Sequence, residues 1–124
     1  MKIIELLNAK NAFDLNCKYG GDMQLALKVI KFIKAAETEA EFYNTKYSEI
    51  LSKYAEKDEN GNVSREGGGV KLKKDSLKDF AAETEKLNSV EVETPDIRFT
   101  LEELNKCDLT GGALYALFPF IKEA

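Results

Sequence analysis

A heptad pattern between Ala26 and Tyr54 is the feature that most constrains the fold of this chain. Apolar residues recur there at alternating steps of three and four, and no proline interrupts them. With Asp22 as a suitable N-cap, the pattern predicts one helix from Asp22 to about Lys57, roughly 50 Å long at about 1.5 Å per residue. The stripe consists of Ala26, Val29, Ile33, Ala36, Ala40, Tyr43, Tyr47, Ile50 and Tyr54, widened by Leu25, Phe32 and Leu51.

Shorter helical segments are predicted on both sides of this helix. Gly20 and Gly21 end the first of them, and Thr100 with Glu103 has the spacing of a capping box. A helix must bury its apolar face, so these segments are the candidates to cover the long one. They are Ile3 to about Asn16, Ser76–Leu87, Thr100 to about Lys106, and a last helix that starts at Asp108 or Thr110, runs through Ala116 and stops at Pro119.

The remaining segments carry turn residues and alternating side chains. Asn60-Gly61 favours a tight turn, and the triple glycine at 67–69 favours a flexible tip. Alternation predicts a small hairpin around that tip and a second strand pair further along the chain. The hairpin arms are Asn62–Arg65 and Val70–Lys73, and the second pair lies within Val90–Phe99 about Thr94–Asp96.

Length and composition place these elements in one fold class. The chain has 124 residues, 44% of them hydrophobic and 32% charged, which suits one domain with a core and is too short for two. We therefore predict a single domain, 1–124, of the mainly α (α+β) class. Its long helix lies in an antiparallel helical hairpin with the N-terminal helix, beside a small β-element and short C-terminal helices. No apolar run approaches the roughly 18 residues of a membrane span, so no membrane is expected.

Several classes of function lack the residues they need. The sequence has no histidine, which excludes Ser-His and Cys-His nucleophile pairs and zinc sites that use histidine. Its two cysteines, Cys17 and Cys107, cannot build a four-thiolate site and are interpreted as buried thiols in a reducing cytoplasm. A net charge of −4 argues against direct binding of duplex nucleic acid. We expect no catalytic residue, no metal and no cofactor.

A cluster after the long helix resembles a calcium loop only in part. Asp58, Asn60 and Gly61 stand where such a loop requires them. However, Glu56 replaces the usual first Asp, and Gly67 occupies the position of the final Glu. We interpret the cluster as a helix stop followed by a turn.

Aromatic side chains are the candidate binding residues. The tyrosines of the stripe can be core or interface residues, a partner-binding surface or a stacking site for a ligand. The C-terminal segment ALYALFPFIKEA either covers the long helix or docks a partner. The candidate partner-binding residues are Tyr43, Tyr47, Tyr54, Tyr115, Phe118 and Phe120.

The order of several segments resembles a known family. These segments are ELLNAKNAF, KYAEKDENGN, VEVE and TLEELNKCDLTGGALYALFPFIKEA. They resemble a family of small uncharacterised proteins from bacteriophages and prophages of Gram-positive bacteria. The resemblance implies a phage-encoded protein that works in the cytoplasm of the host cell, and it brings no activity or site residues to transfer.

From these features we expect an acidic accessory protein that acts by binding a host or phage protein rather than by catalysis. Inhibition of a host defence protein is one form of this function. The alternatives are a virion or tail assembly factor and a protein that sequesters a small ligand. A homodimer through the long helix is also compatible with the stripe.

Overall fold

The computed structural model describes residues 1–13, 21–66 and 69–122, without the side chains of residues 65 and 66. The mainly α class with a small β-element is confirmed. The chain groups into two compact units: unit 1 comprises Met1–Ala40 with Glu91–Ala124, and unit 2 comprises Glu41–Val90. The single domain stays a prediction. Cys17 lies outside the described residues. The expected continuation of the first helix to about Asn16 is wrong, because this helix ends at Asn11 with Ala12 as its C-cap.

The described elements are short. The helices are α1 (Ile3–Asn11), α2 (Met23–Ala35), α3 (Glu37–Tyr54), α4 (Leu77–Asn88), α5 (Leu101–Asn105) and α6 (Gly111–Leu117). Short 3-10 turns cover Lys74–Ser76 and Phe118–Phe120, and the strands are β1 (Arg65–Glu66) and β2 (Gly69–Val70). None of the described helices is both long and apolar enough to cross a bilayer.

The predicted continuous helix is wrong, because it is interrupted at Ala36. Ala36 has φ −99° and ψ −2°, and its N–H donates to the carbonyl of Ile33 rather than continuing the ladder. Neither glycine nor proline marks the break, and Ala36 is fully buried in the core. Apolar periodicity predicts which faces of a helix are buried. It does not show whether a single backbone hydrogen bond within the helix is lost.

An aromatic cluster forms the centre of the core of unit 1. The Phe32 ring contacts three others edge-on: its centroid lies 4.8 Å from that of Phe120, 5.6 Å from that of Phe99 and 5.8 Å from that of Phe13. These distances are typical of favourable aromatic pairs. Helix α1 packs against α6, and side chains of both helices join the same core. The aliphatic members include Leu6, Leu25, Val29, Leu104 and Leu117.

Two ion pairs join α2 to α5. Lys28 Nζ lies 2.9 Å from Glu103 Oε1, and Lys106 Nζ lies 2.9 Å from Asp22 Oδ2. Burial alone would raise the pKa of Glu103, but the hydrogen bonds from Lys28 and Thr100 hold it below its ordinary value. The hydrogen bond from Lys106 and those from two backbone N–H groups lower the pKa of Asp22.

The caps that the sequence predicts at Asp22, Thr100 and Thr110 are confirmed, whereas Ser76 at the start of α4 makes no capping hydrogen bond through its side chain. Asp22 Oδ1 accepts hydrogen bonds from the backbone N–H groups at the start of α2, and Thr110 Oγ1 accepts one at the start of α6. In the capping box of α5, Glu103 N–H donates to Thr100 Oγ1, and Thr100 N–H donates to Glu103 Oε1. Local chemistry therefore defines where these helices begin.

The strand pair expected within Val90–Phe99 is wrong. Its first arm pairs with the N-terminal segment, since Val92 N–H donates to the Met1 carbonyl at 2.9 Å. Its second arm pairs in parallel with the C-terminal segment: Phe99 N–H donates to the Phe120 carbonyl, and Lys122 N–H to the Phe99 carbonyl, both at 2.7 Å. Alternation identifies an extended segment, but its partner depends on contacts far along the chain.

Unit 2 contains the predicted antiparallel hairpin, but its strands are Arg65–Glu66 and Gly69–Val70 rather than the predicted arms Asn62–Arg65 and Val70–Lys73. Strands β1 and β2 pair antiparallel, and Ala55 and Lys57 after α3 form single bridges to Leu72 and Val63. Of the described residues in unit 2, only Ala55 and Leu87 are buried apolar side chains. This unit therefore has a much smaller core than unit 1.

Candidate functional site

The candidate site is a groove in unit 1 between α1 and the segment from Asp108 to Pro119. Its volume is about 1200 Å³. The N-terminal half of the wall is one face of α1, where Glu5, Asn8, Asn11 and Ala12 follow helical spacing. The other half comes from the loop before α6, from α6 itself and from the 3-10 turn that follows. Its apolar members are Leu109, Ala113, Ala116 and Pro119, together with the rings of Tyr115 and Phe118.

The two rings on the groove are unusually exposed. Tyr115 is 84% exposed and Phe118 is 70% exposed, whereas Leu117 and Phe120 on the same segment are fully buried. This division follows from helical spacing: Tyr115 and Phe118 are three residues apart and share one face, and Leu117 and Phe120 are three residues apart and share another. The C-terminal aromatic segment therefore divides into a core half and a surface half.

The sequence-predicted residues Phe118 and Phe120 thus have different positions. The ring of Phe120 lies in the core, with the Arg98 guanidinium carbon 5.6 Å from its centroid, and it offers no surface to a partner. Phe118 and Tyr115 lie together on the groove. Two of the three C-terminal candidates are therefore placed where a partner can reach them.

The polar groups of the groove provide negative charge and hydrogen-bonding capacity. Glu5 and Asp108 are its carboxylates, and Asn8 and Asn11 present exposed amides, which both donate and accept. Glu5 Oε1 also accepts a hydrogen bond from the Lys2 backbone N–H at 3.0 Å, which holds it at the start of α1. None of the described lining residues is Lys or Arg.

The three stripe tyrosines pack together within unit 2. Tyr43 and Tyr47 stack with an interplanar angle of 8° and a centroid separation of 6.0 Å. Phe80 of α4 contacts Tyr47 and Tyr54 edge-on, and the Tyr43 hydroxyl donates to Asn88 Oδ1 at 2.7 Å. Burial raises the pKa of the Tyr43 hydroxyl. These rings are half-buried against α4. Their role in partner binding stays a prediction.

Two other sequence features have structural positions of their own. Asp58 Oδ1 accepts hydrogen bonds from the N–H groups of Asn60 and Asn62, and Gly61 has a φ of +79°. The predicted turn is therefore confirmed, and the Asp58 carboxylate stabilises it. Cys107 is buried in unit 1, with its sulfur 3.8 Å from the Glu103 carbonyl oxygen. Within the described ranges, no group of three or more Cys, Asp or Glu side chains is placed to hold a metal ion.

Sequence reasoning missed the α1 side of the groove and Asp108. Glu5, Asn8 and Asn11 follow one another at a spacing of three in the first helix, which places these polar residues on one face. That spacing was the available signal. It could identify a polar stripe on α1, but not the loop that lies opposite it.

Comparisons with known proteins leave the groove to be interpreted from its own chemistry. No family model matches the chain, and neither a curated protein nor a solved structure matches it.

Proposed function

We propose that this protein acts by binding another protein through the groove of unit 1. In this proposal it is an accessory protein encoded by a bacteriophage or prophage, it works in the cytoplasm of the host cell, and its partner is a host protein. Inhibition of a host defence protein is the specific form of this function that we favour. The phage origin rests on the resemblance described above.

The observation that carries the proposal is the exposure of Tyr115 and Phe118 side by side on a concave surface. Folding normally buries rings of this size, and exposing them has a cost in free energy of about 1.5–3 kcal/mol per side chain relative to burial. Tyrosine and phenylalanine are enriched in the centres of protein interfaces, where a few aromatic anchors supply most of the binding energy. The adjacent groove gives a partner side chain a place to enter.

The chemistry of the lining supports binding rather than catalysis. Its carboxylates, Glu5 and Asp108, belong to different elements, and Glu5 is already engaged as a helix cap. The sequence has no histidine to act as a general base near neutral pH.

The test is capture of a partner by the tagged protein and by matched variants. We expect one stoichiometric host protein to be retained by the wild type and lost with Tyr115→Ala or Phe118→Ala. Met23→Ala is the control, because Met23 is similarly exposed, at 80%, and does not line the groove. Capture that survives both groove variants would contradict the proposal. Capture of capsid or tail proteins instead would favour a virion assembly factor.

A further inference from the structure

The size of the groove limits what can occupy it. Sites for small molecules and cofactors usually enclose about 300–1,000 Å³. The groove, at about 1200 Å³, exceeds that range, and two exposed rings extend from its wall. A peptide segment of a partner protein fits this volume better than a small molecule does.

The charge of the groove limits the occupant further. Glu5 and Asp108 contribute two negative charges, and no described lining residue contributes a positive one. A concave site lined by one sign of charge concentrates the opposite sign. The faces of aromatic rings also attract ammonium and guanidinium groups, and here Tyr115 and Phe118 provide them.

The rest of the lining is apolar, so the occupant must also present apolar groups. Ala12, Leu109, Ala113, Ala116 and Pro119 offer no charge and only small or aliphatic surface. A wholly polar cationic segment would leave this apolar surface without an apolar contact. A wholly apolar segment would cover the Asp108 carboxylate and the second oxygen of Glu5 without a cation to balance their charge. Asn8 and Asn11 can donate to and accept from the backbone of a segment lying along α1.

We infer that the groove takes a basic, apolar segment of the partner protein, in which Lys or Arg side chains stand beside aliphatic or aromatic ones. The apolar side chains occupy the floor between α1 and α6, and the cations lie against the carboxylates and the exposed rings. This inference rests on the proposed function, since it names the chemistry of the partner at the same groove.

The experiment selects peptides without assuming their composition. A phage-displayed random dodecapeptide library is panned on the intact protein, and the enriched peptides are synthesised with a fluorescent label for anisotropy titrations. We expect the enriched peptides to combine Lys or Arg with apolar residues and to displace the captured host partner. Circular dichroism confirms that each variant of the protein is folded before it is titrated.

Matched variants separate the contribution of the Asp108 charge from that of the exposed rings. Asp108→Asn is expected to weaken peptide binding about two- to fivefold at low salt, and the difference is expected to shrink as salt is added. The control Asp96→Asn makes the same change at an exposed carboxylate outside the groove and leaves affinity unchanged. Tyr115→Ala and Phe118→Ala are each expected to weaken binding more than tenfold, as for an interface anchor.

The outcomes distinguish this inference from the proposed function. Enriched peptides that lack Lys and Arg but depend on Phe118 would overturn the inference and leave the proposed function standing. A library that yields no peptide dependent on the groove overturns the inference, and the proposed function falls with it only if partner capture also survives the groove variants. Concentration-dependent self-association that Phe118→Ala abolishes would identify a second copy as the occupant and overturn the inference.

Discussion

The pair Phe118→Ala and Phe120→Ala tests how the C-terminal segment is divided between core and surface. Both substitutions remove the same ring, two positions apart in the chain. Phe120 is fully buried with its ring 4.8 Å from that of Phe32, whereas Phe118 is 70% exposed. The two variants therefore compare the loss of a buried, packed ring with the loss of an exposed one.

The expected losses follow from that burial. Removing a ring from a packed core costs about 3–5 kcal/mol, because the lost transfer free energy is joined by the cost of a cavity. Full burial of a phenylalanine side chain contributes about 1.5–3 kcal/mol, so the covered third of Phe118 contributes at most about 1 kcal/mol. Domains have free energies of unfolding of about 5–15 kcal/mol. The loss expected for Phe120→Ala is therefore a large part of the total stability, whereas the loss expected for Phe118→Ala is a small one.

Urea denaturation followed by far-ultraviolet circular dichroism measures both losses. With a slope of about 2 kcal/mol per molar urea, the middle of the usual range, Phe120→Ala lowers the midpoint by about 1.5–2.5 M and Phe118→Ala by at most about 0.5 M. Phe118→Ala also loses the partner, and it does so without loss of fold. Equal shifts for the two variants, or a larger shift for Phe118→Ala, would refute the assignment of Phe120 to the core and of Phe118 to the groove.

Two further predictions concern the stability of each unit. The pKa values of Asp22 and Glu103 are lowered in the folded state. These carboxylates therefore stabilise the fold at pH values above the ordinary carboxyl pKa, and this stabilisation is lost as the pH falls through their pKa values in the folded state. We expect the urea midpoint to fall as the pH is lowered from about 5 to about 3, and to fall less in Glu103→Gln. The control Glu102→Gln, a change at an exposed neighbour, should retain the wild-type pH profile. A wild-type pH profile in Glu103→Gln would contradict the reasoning. Because α3 has no fully buried residue, whereas Leu25, Val29 and Phe32 of α2 are buried, amide hydrogens in the Glu41–Tyr54 part of α3 should exchange on the order of tenfold or more faster than those of α2. Equal protection measured by hydrogen exchange with NMR detection would show that the small core of unit 2 does not limit its stability.

Local signals in the sequence determined a large part of the secondary structure. The caps at Asp22, Thr100 and Thr110 and the turn at Asp58–Asn62 involve groups two to four residues apart. Their chemistry is complete within a few residues, so it can be inferred without the fold. The mainly α class follows from apolar periodicity in the same way.

The tertiary structure decided which surfaces meet. The heptad pattern could not reveal the break at Ala36, since the same faces are buried whether or not the helix is continuous. The alternation in Val90–Phe99 showed an extended segment, but its hydrogen bonds go to Met1 and to residues 120–122 rather than to its own other arm. The choice among partners depends on packing between residues that are far apart in the chain.

The groove shows most clearly what the sequence could not determine. Its two sides, the face of α1 with Asn8 and Asn11 and the segment with Asp108, Tyr115 and Phe118, are about a hundred residues apart in the chain. The sequence by itself determined that aromatic side chains crowd the C-terminal segment. Only the tertiary packing decided their positions: Phe120 enters the core against Phe32 of α2 and beside Phe99, while Tyr115 and Phe118 remain on the groove where α6 meets α1. Burial is a property of the assembled surface and not of any one residue.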